Sequence, residues 1–518
     1  MTDREGLPAH VRVLVVGAGF GGLAAAAYLR GAGFTAPDDV LVVERGDDVG
    51  GTWRDNTYPG CACDVPSVLY SFSFAPEPGW TRSYGRQPDI QAYLRRTAEG
   101  HGLAPLVRTG CELLAARWDA EHACWVASTS RGTVRAQVLV LATGTLSTPA
   151  VPDLPGLAEF AGEVFHTGAW RHDVPLAGRR VAVVGTGASA VQVVPAIAPD
   201  VAYLTVFQRT ASWVLPRLDR PYLRPERALY RCLPATQRAA RGLLWAYREG
   251  YVVPMAHQRR LLPAVQAFAG WHLRRQVREP GLRAKVTPHF DVACKRPLLS
   301  NDWYPTLQRA DVELVDRAVV RATPAGLVDA DGREHPVDVV VFATGFTPTE
   351  PPVARLVRGA DGASLAEHWG GSPRAHRGIS VPGFPNLFLM YGPNTNLAHS
   401  SIVYMLESQA RYVADAVRTL DRLHLAAVDV RADVLAQEDA ELQRRLDGTV
   451  WNSGGCTSWY FDRTGRNSAM WPTFTWRYRN LVRRFDPENY HLQGGTAAGS
   501  ATLPAQRAAA AVSDALSE

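Results

Sequence analysis

A glycine-rich turn near the start of the chain, Gly17-Ala-Gly19-Phe-Gly-Gly22, has the residue spacing of a phosphate-binding motif. An apolar, β-branched run at residues 11–16 predicts a buried parallel strand before the turn, and residues 23–30 predict a helix after it. This order of strand, turn and helix places a pyrophosphate on backbone N–H groups at the helix N-terminus. The next strand ends in Glu44, whose carboxylate suits the hydroxyls of an unphosphorylated ribose. This half of the chain therefore predicts a site for FAD or NAD.

A second turn, Gly185-Thr186-Gly187-Ala-Ser189-Ala190, also lies between a strand and a helix but has a different ending. The strand that follows its helix ends in Gln208-Arg209-Thr210 rather than in an acid. An acid would repel a 2′-phosphate, whereas arginine pairs with it bidentately. Each such charge-assisted hydrogen bond contributes about 1.5–3 kcal/mol. The second turn therefore predicts an NADP site.

A segment just ahead of the second turn connects these two sites to a known family. It reads Phe160-x-Gly162-x-x-x-His166-x-x-x-Trp170 and resembles the signature of class B flavoprotein monooxygenases. It is most similar to the type I Baeyer–Villiger monooxygenases, whose version has tryptophan at the last position. The resemblance covers most of residues 11–412 and includes two strands that end in Ala-Thr-Gly, at residues 138–144 and 339–345.

The resemblance implies a reaction as well as a fold. FAD and NADPH are the implied cofactors, and a small-molecule ketone and O2 are the implied substrates. One oxygen atom is inserted next to the ketone carbonyl through a C4a-peroxyflavin, which gives an ester or a lactone. His166 and Trp170 lie on a linker between domains, so we expect them to have a conformational role rather than to transfer protons.

Individual residues are assigned by the same resemblance. Arg296 is expected to be the cation that stabilises the developing oxyanion, and Asp64 the carboxylate that orients it. Lys295, one of only two lysines in the chain, is expected to contact the 2′-phosphate. Arg296 and Asp64 form the predicted catalytic set. The predicted cofactor-binding set is Gly17, Gly19, Gly22, Glu44, Gly51, Thr52, Trp53, Asp64, Tyr70, Gly185, Thr186, Gly187, Ser189, Ala190, Arg209, Thr210, Lys295 and Arg296.

Other functions are left open by the sequence. Arg171 follows Trp170 where the Baeyer–Villiger signature usually has Pro or Asp, which keeps flavin-dependent N- or S-oxygenation as the second interpretation. Arg296 argues against it, because heteroatom oxidation needs no oxyanion partner. A non-catalytic flavin-binding protein is a more remote alternative. A disulfide oxidoreductase would need a redox-active C-x-x-C, and Cys61 and Cys63 have the wrong spacing for that pair or for zinc, so no metal site is predicted.

The elements that position these residues predict an α/β fold with two Rossmann-like dinucleotide-binding domains, for FAD and NADP, and a helical insertion in the NADP domain. The FAD domain is expected at residues 1–145 and again at 339–450, with the NADP domain at 146–338 between them. The insertion is expected at about 214–292. An aromatic and arginine-rich segment follows at 451–492, and a disordered tail at 493–518.

Two of these segments allow alternative interpretations. The insertion is rich in arginine, leucine, alanine and aromatic residues, so an amphipathic helix on a membrane surface is a less favoured alternative to a simple helical insertion. In the C-terminal segment, Trp459, Trp471 and Trp476 either cover the active site or anchor the C-terminus to the core.

Composition agrees with a large enzyme. The chain has 518 residues, of which 46% are hydrophobic and 20% charged, enough for two or three domain cores. A net charge of +5 predicts no nucleic-acid partner. Seven cysteines without regular spacing fit a reducing compartment. We expect no signal peptide or membrane span, and a cytoplasmic monomer or homodimer.

Overall fold

In the computed structural model, which describes residues 6–347, 349 and 351–494, two main sheets organise the chain. The strands in chain order are β1 (His10–Val16), β2 (Val40–Val43), β3 (Val107–Arg108), β4 (Leu113–Asp119), β5 (Cys124–Thr129), β6 (Gly132–Leu141), β7 (Glu163–His166), β8 (Arg180–Val184), β9 (Tyr203–Phe207), β10 (Val214–Leu215), β11 (Leu298–Leu299), β12 (Val312–Val315), β13 (Val319–Thr323), β14 (Gly326–Asp329), β15 (Glu334–Pro336), β16 (Val339–Phe342), β17 (Val357–Arg358), β18 (Leu387–Leu389), β19 (Leu425–Val430) and β20 (Tyr490–Gly494).

The helices cover and connect these sheets. In chain order they are α1 (Phe20–Gly31), α2 (Thr52–Asp55), α3 (Gln87–Gly100), α4 (Ala190–Ile197), α5 (Arg224–Cys232), α6 (Pro234–Gly250), α7 (Leu262–Gln276), α8 (Pro280–Lys285), α9 (Trp303–Thr306), α10 (Leu365–Trp369), α11 (Ile402–Arg422), α12 (Ala432–Asp447), α13 (Val450–Ser453) and α14 (Thr475–Leu481).

The first sheet carries the first glycine turn. Its strand order is β17-β4-β5-β6-β1-β2-β3, and β18 also pairs with β6. The central strands β18, β6, β1, β2 and β3 run parallel, and all four residues of β2 are buried. Helices α1 and α11 pack side by side on this sheet, where the small residues of α1 allow a close approach. Because β17 and β18 come late in the chain, this sheet is completed by segments from either side of the second sheet.

The second sheet carries the second glycine turn and is parallel throughout, with the order β12-β9-β8-β16-β7. It includes β16, which the predicted boundary at residue 339 had assigned to the returning FAD domain. That boundary was wrong by a few residues, because Val339–Phe342 pairs with β8 and β7 in the second sheet. The chain therefore crosses back after residue 342. The predicted fold class, two Rossmann-like domains, is confirmed.

The segment between β10 and β11 is the helical insertion. It holds α5, α6, α7 and α8, with a π-helical turn at Val253–His257. None of the helices in the described residues is both long enough and apolar enough to cross a membrane.

The C-terminal part returns to the first sheet's domain. Strand β20 pairs antiparallel with β19, and its last two residues, Gln493 and Gly494, begin the segment that the sequence predicts to be a disordered tail. The rest of that predicted tail, residues 495–518, lies outside the described residues.

Candidate active site

The first glycine turn is held tightly against the end of β6. A side chain at Gly17 would lie 2.6 Å from the Ala142 carbonyl oxygen, and Gly17 has a φ of +103°. A side chain at Gly22 would lie 1.8 Å from the Gly17 carbonyl oxygen, so only glycine lets α1 start so close to β1. Gly19 faces Gly51 across a gap that ordinary side chains would fill. The turn is thus a bare backbone cradle of the kind a pyrophosphate needs.

Glu44 lies where the sequence predicts it, at the end of β2 and buried. Its Oε2 accepts a hydrogen bond from the Ala18 N–H at 2.9 Å, and its Oε1 accepts one from the Gly46 N–H at 2.8 Å. The Arg54 guanidinium also donates to Oε1, at 2.7 Å. These bonds orient the carboxylate beside the turn, and its remaining lone pairs can accept from ribose hydroxyls.

Aromatic side chains form a wall beside this cradle. The Trp53 indole Nε1 donates to the Tyr70 hydroxyl at 3.1 Å, and Phe20 packs edge-on against Tyr70 with ring centroids 4.9 Å apart. Thr52 begins the short helix α2 that carries Trp53. Trp53 and Tyr70 are far apart in sequence from Gly19, and the fold brings all three to one region.

The second glycine turn repeats the first arrangement. A side chain at Gly185 would lie 2.5 Å from the Ala343 carbonyl oxygen, just as Gly17 approaches Ala142. Both Ala-Thr-Gly strand ends therefore support a glycine turn. Gly187 has open space above it. Ser189 directly precedes α4, which begins at Ala190. The Thr186 hydroxyl donates to the Thr210 carbonyl oxygen at 3.1 Å, which links the turn to the segment that follows β9.

Arg209 and Lys295 form a pair of like charges close to the second turn. Burial lowers the pKa of Lys295, and the nearby charge of Arg209 lowers that pKa further. Within the described residues neither side chain has an acidic partner, and the Lys295 ammonium instead lies 5.1 Å from the centre of the Phe290 ring. Two cations close together without a carboxylate have the charge that an anion such as a phosphate needs.

Arg296 and Asp64 form a bidentate ion pair between the two domains. The Arg296 Nε donates to Asp64 Oδ2 at 2.6 Å, and its Nη2 donates to Asp64 Oδ1 at 2.8 Å. The remaining nitrogen, Nη1, donates to the Leu397 carbonyl oxygen at 2.9 Å. The two side chains are recessed but 29% and 32% exposed, so one face of the pair stays open.

The electrostatics of this pair follow from its surroundings. Burial alone would raise the pKa of Asp64, but the charges of Arg296, Arg248 and Arg217 outweigh it and lower that pKa below its ordinary value. Burial likewise opposes the charge on Arg296, and the Asp64 carboxylate more than offsets it and raises the pKa of the guanidinium. Both groups are therefore charged at neutral pH.

Three residues that the sequence analysis missed hold the Asp64 segment. Arg217 donates to the Cys63 carbonyl oxygen at 3.0 Å, and Arg248 donates to the Asp64 carbonyl oxygen at 2.9 Å. Gln192, on α4, exchanges hydrogen bonds with the backbone of Ala62. No local pattern marks these residues, because the insertion is rich in arginine throughout and a single glutamine on a helix is unremarkable.

The free thiols next to Asp64 stay protonated. Burial raises the pKa of Cys61 to about 11 and that of Cys63 to about 12. Buried thiols of this kind are poor nucleophiles and poor metal ligands.

The family-like segment at residues 160–170 spans the start of the second domain. His166 ends β7, is buried, and accepts a hydrogen bond from the Gly168 N–H at 2.9 Å through Nδ1. Burial lowers the pKa of His166, so its ring is neutral. Trp170 packs edge-on against Phe165. These contacts are structural, and a conformational role for the pair stays a prediction.

A mostly apolar cavity opens close to the ion pair. Asn396 and Trp459 line it. Asn396 is followed by Leu397, whose carbonyl oxygen accepts from Arg296. Trp459 is followed by Tyr460, whose pKa is raised by burial and lowered in part by the charge of Arg296. Arg296 and Asp64 do not themselves line the cavity. The same two loops therefore build the cavity wall and the surroundings of the guanidinium.

The C-terminal tryptophans were expected either to cover the active site or to anchor the C-terminus to the core, and they differ in position. Trp459 lines the cavity, whereas Trp471 is buried and packs against Tyr478 in the core. Trp476 is exposed. The segment thus both borders the cavity and anchors the chain.

A disulfide joins this segment to the cationic loop. Cys294, directly before Lys295 and Arg296, is bonded to Cys456, three residues before Trp459. The cysteine spacing had suggested only a reducing compartment, and a disulfide is at odds with that expectation. A separation of 162 residues leaves no local pattern from which the pairing is readable.

Comparison with known proteins bears on the family. A model described as an NAD(P)-binding Rossmann-like domain matches residues 15–87, and one described as L-lysine 6-monooxygenase/L-ornithine 5-monooxygenase matches residues 103–219. A Baeyer–Villiger monooxygenase of Streptomyces coelicolor is 48% identical over 493 residues, which cover 95% of this chain and 94% of that protein. This chain belongs to the Baeyer–Villiger monooxygenase family.

Further relatives agree with this assignment. A Baeyer–Villiger monooxygenase of Pseudomonas aeruginosa is 44% identical, with 93% of this chain and 92% of that protein covered. The crystal structure of cyclohexanone monooxygenase from Rhodococcus sp. Phi1 bound to NADP+ superposes with a TM-score of 0.83 at 28% identity, covering 95% of this chain and 100% of that one. The enzyme is a flavoprotein monooxygenase that uses FAD and NADPH, as predicted.

Proposed function

We propose that this enzyme converts an apolar ketone into an ester or lactone and that the Arg296–Asp64 pair is the catalytic group of the protein. Oxygen insertion next to a ketone carbonyl is the reaction of its family. The recessed, bidentate and partly open ion pair between the two dinucleotide sites is the observation that carries the assignment of residues.

The residues of the first domain fit FAD. Gly19 and Gly51 leave the gap that a pyrophosphate needs, Glu44 is oriented for a ribose, and Trp53 and Tyr70 offer an aromatic wall. When bound, FAD supplies the reduced ring that activates O2 for transfer to the substrate. The protein's part is to bind the ring, exclude water and stabilise charge on the substrate.

Arg296 is suited to the charge that the reaction creates. Attack on a ketone carbonyl turns its oxygen into an oxyanion, and a fixed cation lowers the energy of that state without reorganising. Two bonds to Asp64 and one to Leu397 fix the guanidinium in place. Asp64 acts as a positioning residue, and the Arg248 and Arg217 bonds hold its backbone segment in turn.

The second domain is suited to the phosphorylated coenzyme. Arg209 and Lys295, which have no acidic partner in the part of the chain that the structure describes, are expected to bind the 2′-phosphate. Gly187 and the start of α4 are expected to accept the pyrophosphate. The lysine belongs to the same short loop as Arg296. Coenzyme binding therefore also orders the loop that carries the guanidinium.

The substrate class follows from the cavity beside the pair. Its walls include Leu389, Met390 and Trp459, and its lining surface is mostly apolar, although several threonines and Asn396 also line it. We therefore expect small apolar ketones to bind there, and charged amines to be excluded.

A second function, N-oxygenation of an amine, is favoured by the match of residues 103–219 to the lysine and ornithine monooxygenase family. Incubation of the purified enzyme with NADPH, 18O2 and matched panels of ketones, sulfides and amines separates the two. A mass gain in apolar ketones is expected. Incorporation only into sulfides or amines would overturn the ketone assignment.

Location and assembly stay predictions. We expect the enzyme to act as a monomer or homodimer without a nucleic-acid partner. A cytoplasmic location, as the sequence predicts, requires that the Cys294–Cys456 bond persist in a reducing compartment, where structural disulfides are rare. Gel filtration with light scattering measures the assembly state directly.

A further inference from the structure

Exposed apolar side chains are concentrated in the helical insertion. Seventeen large hydrophobic side chains are exposed among the described residues, and nine of them lie between residues 214 and 292. Single exposed hydrophobic residues are ordinary on protein surfaces, but concentration in one segment marks an interaction surface. These nine are Leu218, Leu223, Leu229, Leu233, Leu243, Tyr247, Leu261, Phe268 and Trp271.

Helix α6 shows that this exposure is organised. Its exposed positions recur every three or four residues and form one face, and the face is apolar except for one arginine. Leu243 is 74% exposed and Tyr247 is 55% exposed. The face consists of Ala235, Arg238, Ala239, Gly242, Leu243, Ala246, Tyr247 and Gly250.

The opposite face of α6 carries the polar groups and points inward. Gln237 donates to the Glu77 carbonyl oxygen at 2.6 Å, and Arg241 donates to the Ser71 carbonyl oxygen at 2.7 Å. Glu249 accepts from the Thr475 hydroxyl and backbone N–H at 2.7 and 2.8 Å. Leu244 and Trp245 also pack against the core, so α6 has apolar side chains on both sides, and the exposed ones are left for something outside the described chain.

The neighbouring helix α5 continues this surface. It packs beside α6, and none of its residues is buried. Leu223 precedes it, Leu229 lies on it and Leu233 follows it, all of them exposed. We call α5 and α6 together the α5–α6 hairpin.

The positive charge of the insertion indicates which kind of partner would bind this surface. Residues 214–292 contain 15 arginines and lysines and five acidic residues, a net charge of +10, whereas the whole chain carries +5. The remainder of the chain therefore carries −5. Among the described residues of the hairpin, Arg224, Arg231 and Arg238 have no acidic partner. Three arginines without an acidic partner among the described residues thus accompany the apolar face.

We propose that the α5–α6 hairpin is a docking surface for an anionic phospholipid bilayer, on which the enzyme rests without spanning it. Exposed leucine and tyrosine side chains enter the interface, and the arginines pair with lipid phosphates, the combination that interfacial helices use. A second copy of the chain fits less well, because like charges would face each other. Nucleic acid fits less well, because its backbone offers nothing to exposed leucines.

The same composition recurs on α7. Phe268 stacks near Trp271, whose ring also lies under Arg275 at 5.5 Å, and both aromatic residues are 48% exposed. This second apolar and basic patch supplies an independent set of substitutions. The proposal does not depend on which substrate the enzyme oxygenates.

Co-sedimentation of the FAD-loaded enzyme with vesicles tests the proposal. We expect binding to vesicles of phosphatidylglycerol and phosphatidylcholine, weak binding to phosphatidylcholine alone, and release at high salt. Replacing Arg231 and Arg238 with glutamine is expected to weaken binding about tenfold or more, since each basic residue near such a surface contributes about 1 kcal/mol. The pair L243S and Y247S should weaken it further.

Matched controls keep the test decisive. Leu114 on β4 is 51% exposed and lies outside the insertion, so L114S should bind vesicles like the wild type. R444Q serves the same purpose for charge, because Arg444 is exposed on α12. Flavin content and NADPH oxidation should be unchanged in all variants. Equal binding to both vesicle types, no binding, or a dimer abolished by L243S would each overturn the proposal.

Discussion

A guanidinium held on three sides by protein and open on the fourth is well prepared for an oxyanion. Two nitrogens of Arg296 donate to Asp64 and a third donates to a backbone carbonyl, so the side chain has one orientation. A charge fixed in advance stabilises a transition state more than one that must move to reach it. The cost of burying the cation is offset by the Asp64 carboxylate, which raises its pKa after burial has lowered it.

Removal of this charge should separate the two halves of the reaction. The R296A enzyme is expected to retain reduction of FAD by NADPH, since hydride transfer forms no oxyanion on the substrate. Ester formation should fall by at least about a hundredfold, the usual effect of removing one oxyanion donor. Stopped-flow bleaching of the flavin and product analysis measure the two steps. R309A, which breaks an exposed pair with Asp311, is the control. Normal ester formation by R296A would exclude the proposed role.

The pair of unpartnered cations makes a second prediction at this scale. In R209A and K295A the KM for NADPH should rise about ten- to hundredfold for each variant, because each loses a charge-assisted bond of about 1.5–3 kcal/mol. The KM for NADH should change little. Steady-state kinetics with both coenzymes measure this, with R317A, an exposed residue of the same domain, as the control. Equal losses with NADH would show a general structural defect instead.

At the level of elements, the loop before β11 connects the second domain to the C-terminal segment. It carries Lys295 and Arg296, and the Cys294–Cys456 bond ties it to the segment that holds Trp459 and Tyr460. The lysine proposed to bind the coenzyme phosphate, the proposed catalytic arginine and the cavity-lining Trp459 thus lie on two segments that one covalent bond joins.

Loss of this bond should uncouple the enzyme. In C456S the cavity wall is no longer tied to the Arg296 loop, so water is excluded less well and reduced oxygen escapes as H2O2. We expect more H2O2 per NADPH consumed in the presence of a ketone, with NADPH affinity little changed. A peroxide assay beside product analysis gives the ratio. C232S, which removes an exposed free thiol, is the control. Coupling equal to that of the wild type in C456S would show that the bond has no part in closing the site.

At the scale of the whole molecule, the free energy of unfolding depends on pH through half-buried carboxylates whose ionisation burial disfavours. The two carboxylate oxygens of Asp429, on β19, share the single Gly383 N–H, at 3.0 and 3.1 Å. Burial nevertheless raises the pKa of Asp429 to about 6, above its ordinary value of 3.8, and the Gly383 bond lowers it only in part. The folded state therefore holds this proton more tightly than the unfolded state.

The sign of the pH dependence follows from that difference. The contribution of Asp429 is fully present below pH 3.8 and is lost as the pH rises through about 6, so at neutral pH the charged carboxylate destabilises the fold. D429N, which stays neutral and keeps an acceptor oxygen, should be more stable than the wild type at pH 8, by about 1–3 kcal/mol, and by much less at pH 4. Thermal unfolding at both pH values measures this. An equal effect at pH 4 and pH 8 would show that Asp429 does not titrate as described.

The sequence by itself determined what is local. Gly17, Gly19 and Glu44 are readable because a phosphate-binding turn and its ribose acid are adjacent in chain order, and Arg209 is readable because it ends the equivalent strand. The two-domain fold follows from the same runs of strand, turn and helix. The assignments of Asp64 and Arg296 came only from resemblance to a family, since nothing local connects residues 232 positions apart.

Tertiary structure decided everything that depends on long-range contact. The bidentate pair, the Cys294–Cys456 bond and the supporting arginines Arg217 and Arg248 join segments that share no pattern. Strand β16 likewise belongs to the second sheet because of its partners and not its composition, which suits either sheet. The outward orientation of Leu243 and Tyr247 on α6 also became visible only in three dimensions, because a helix's own sequence does not show which of its faces meets the protein.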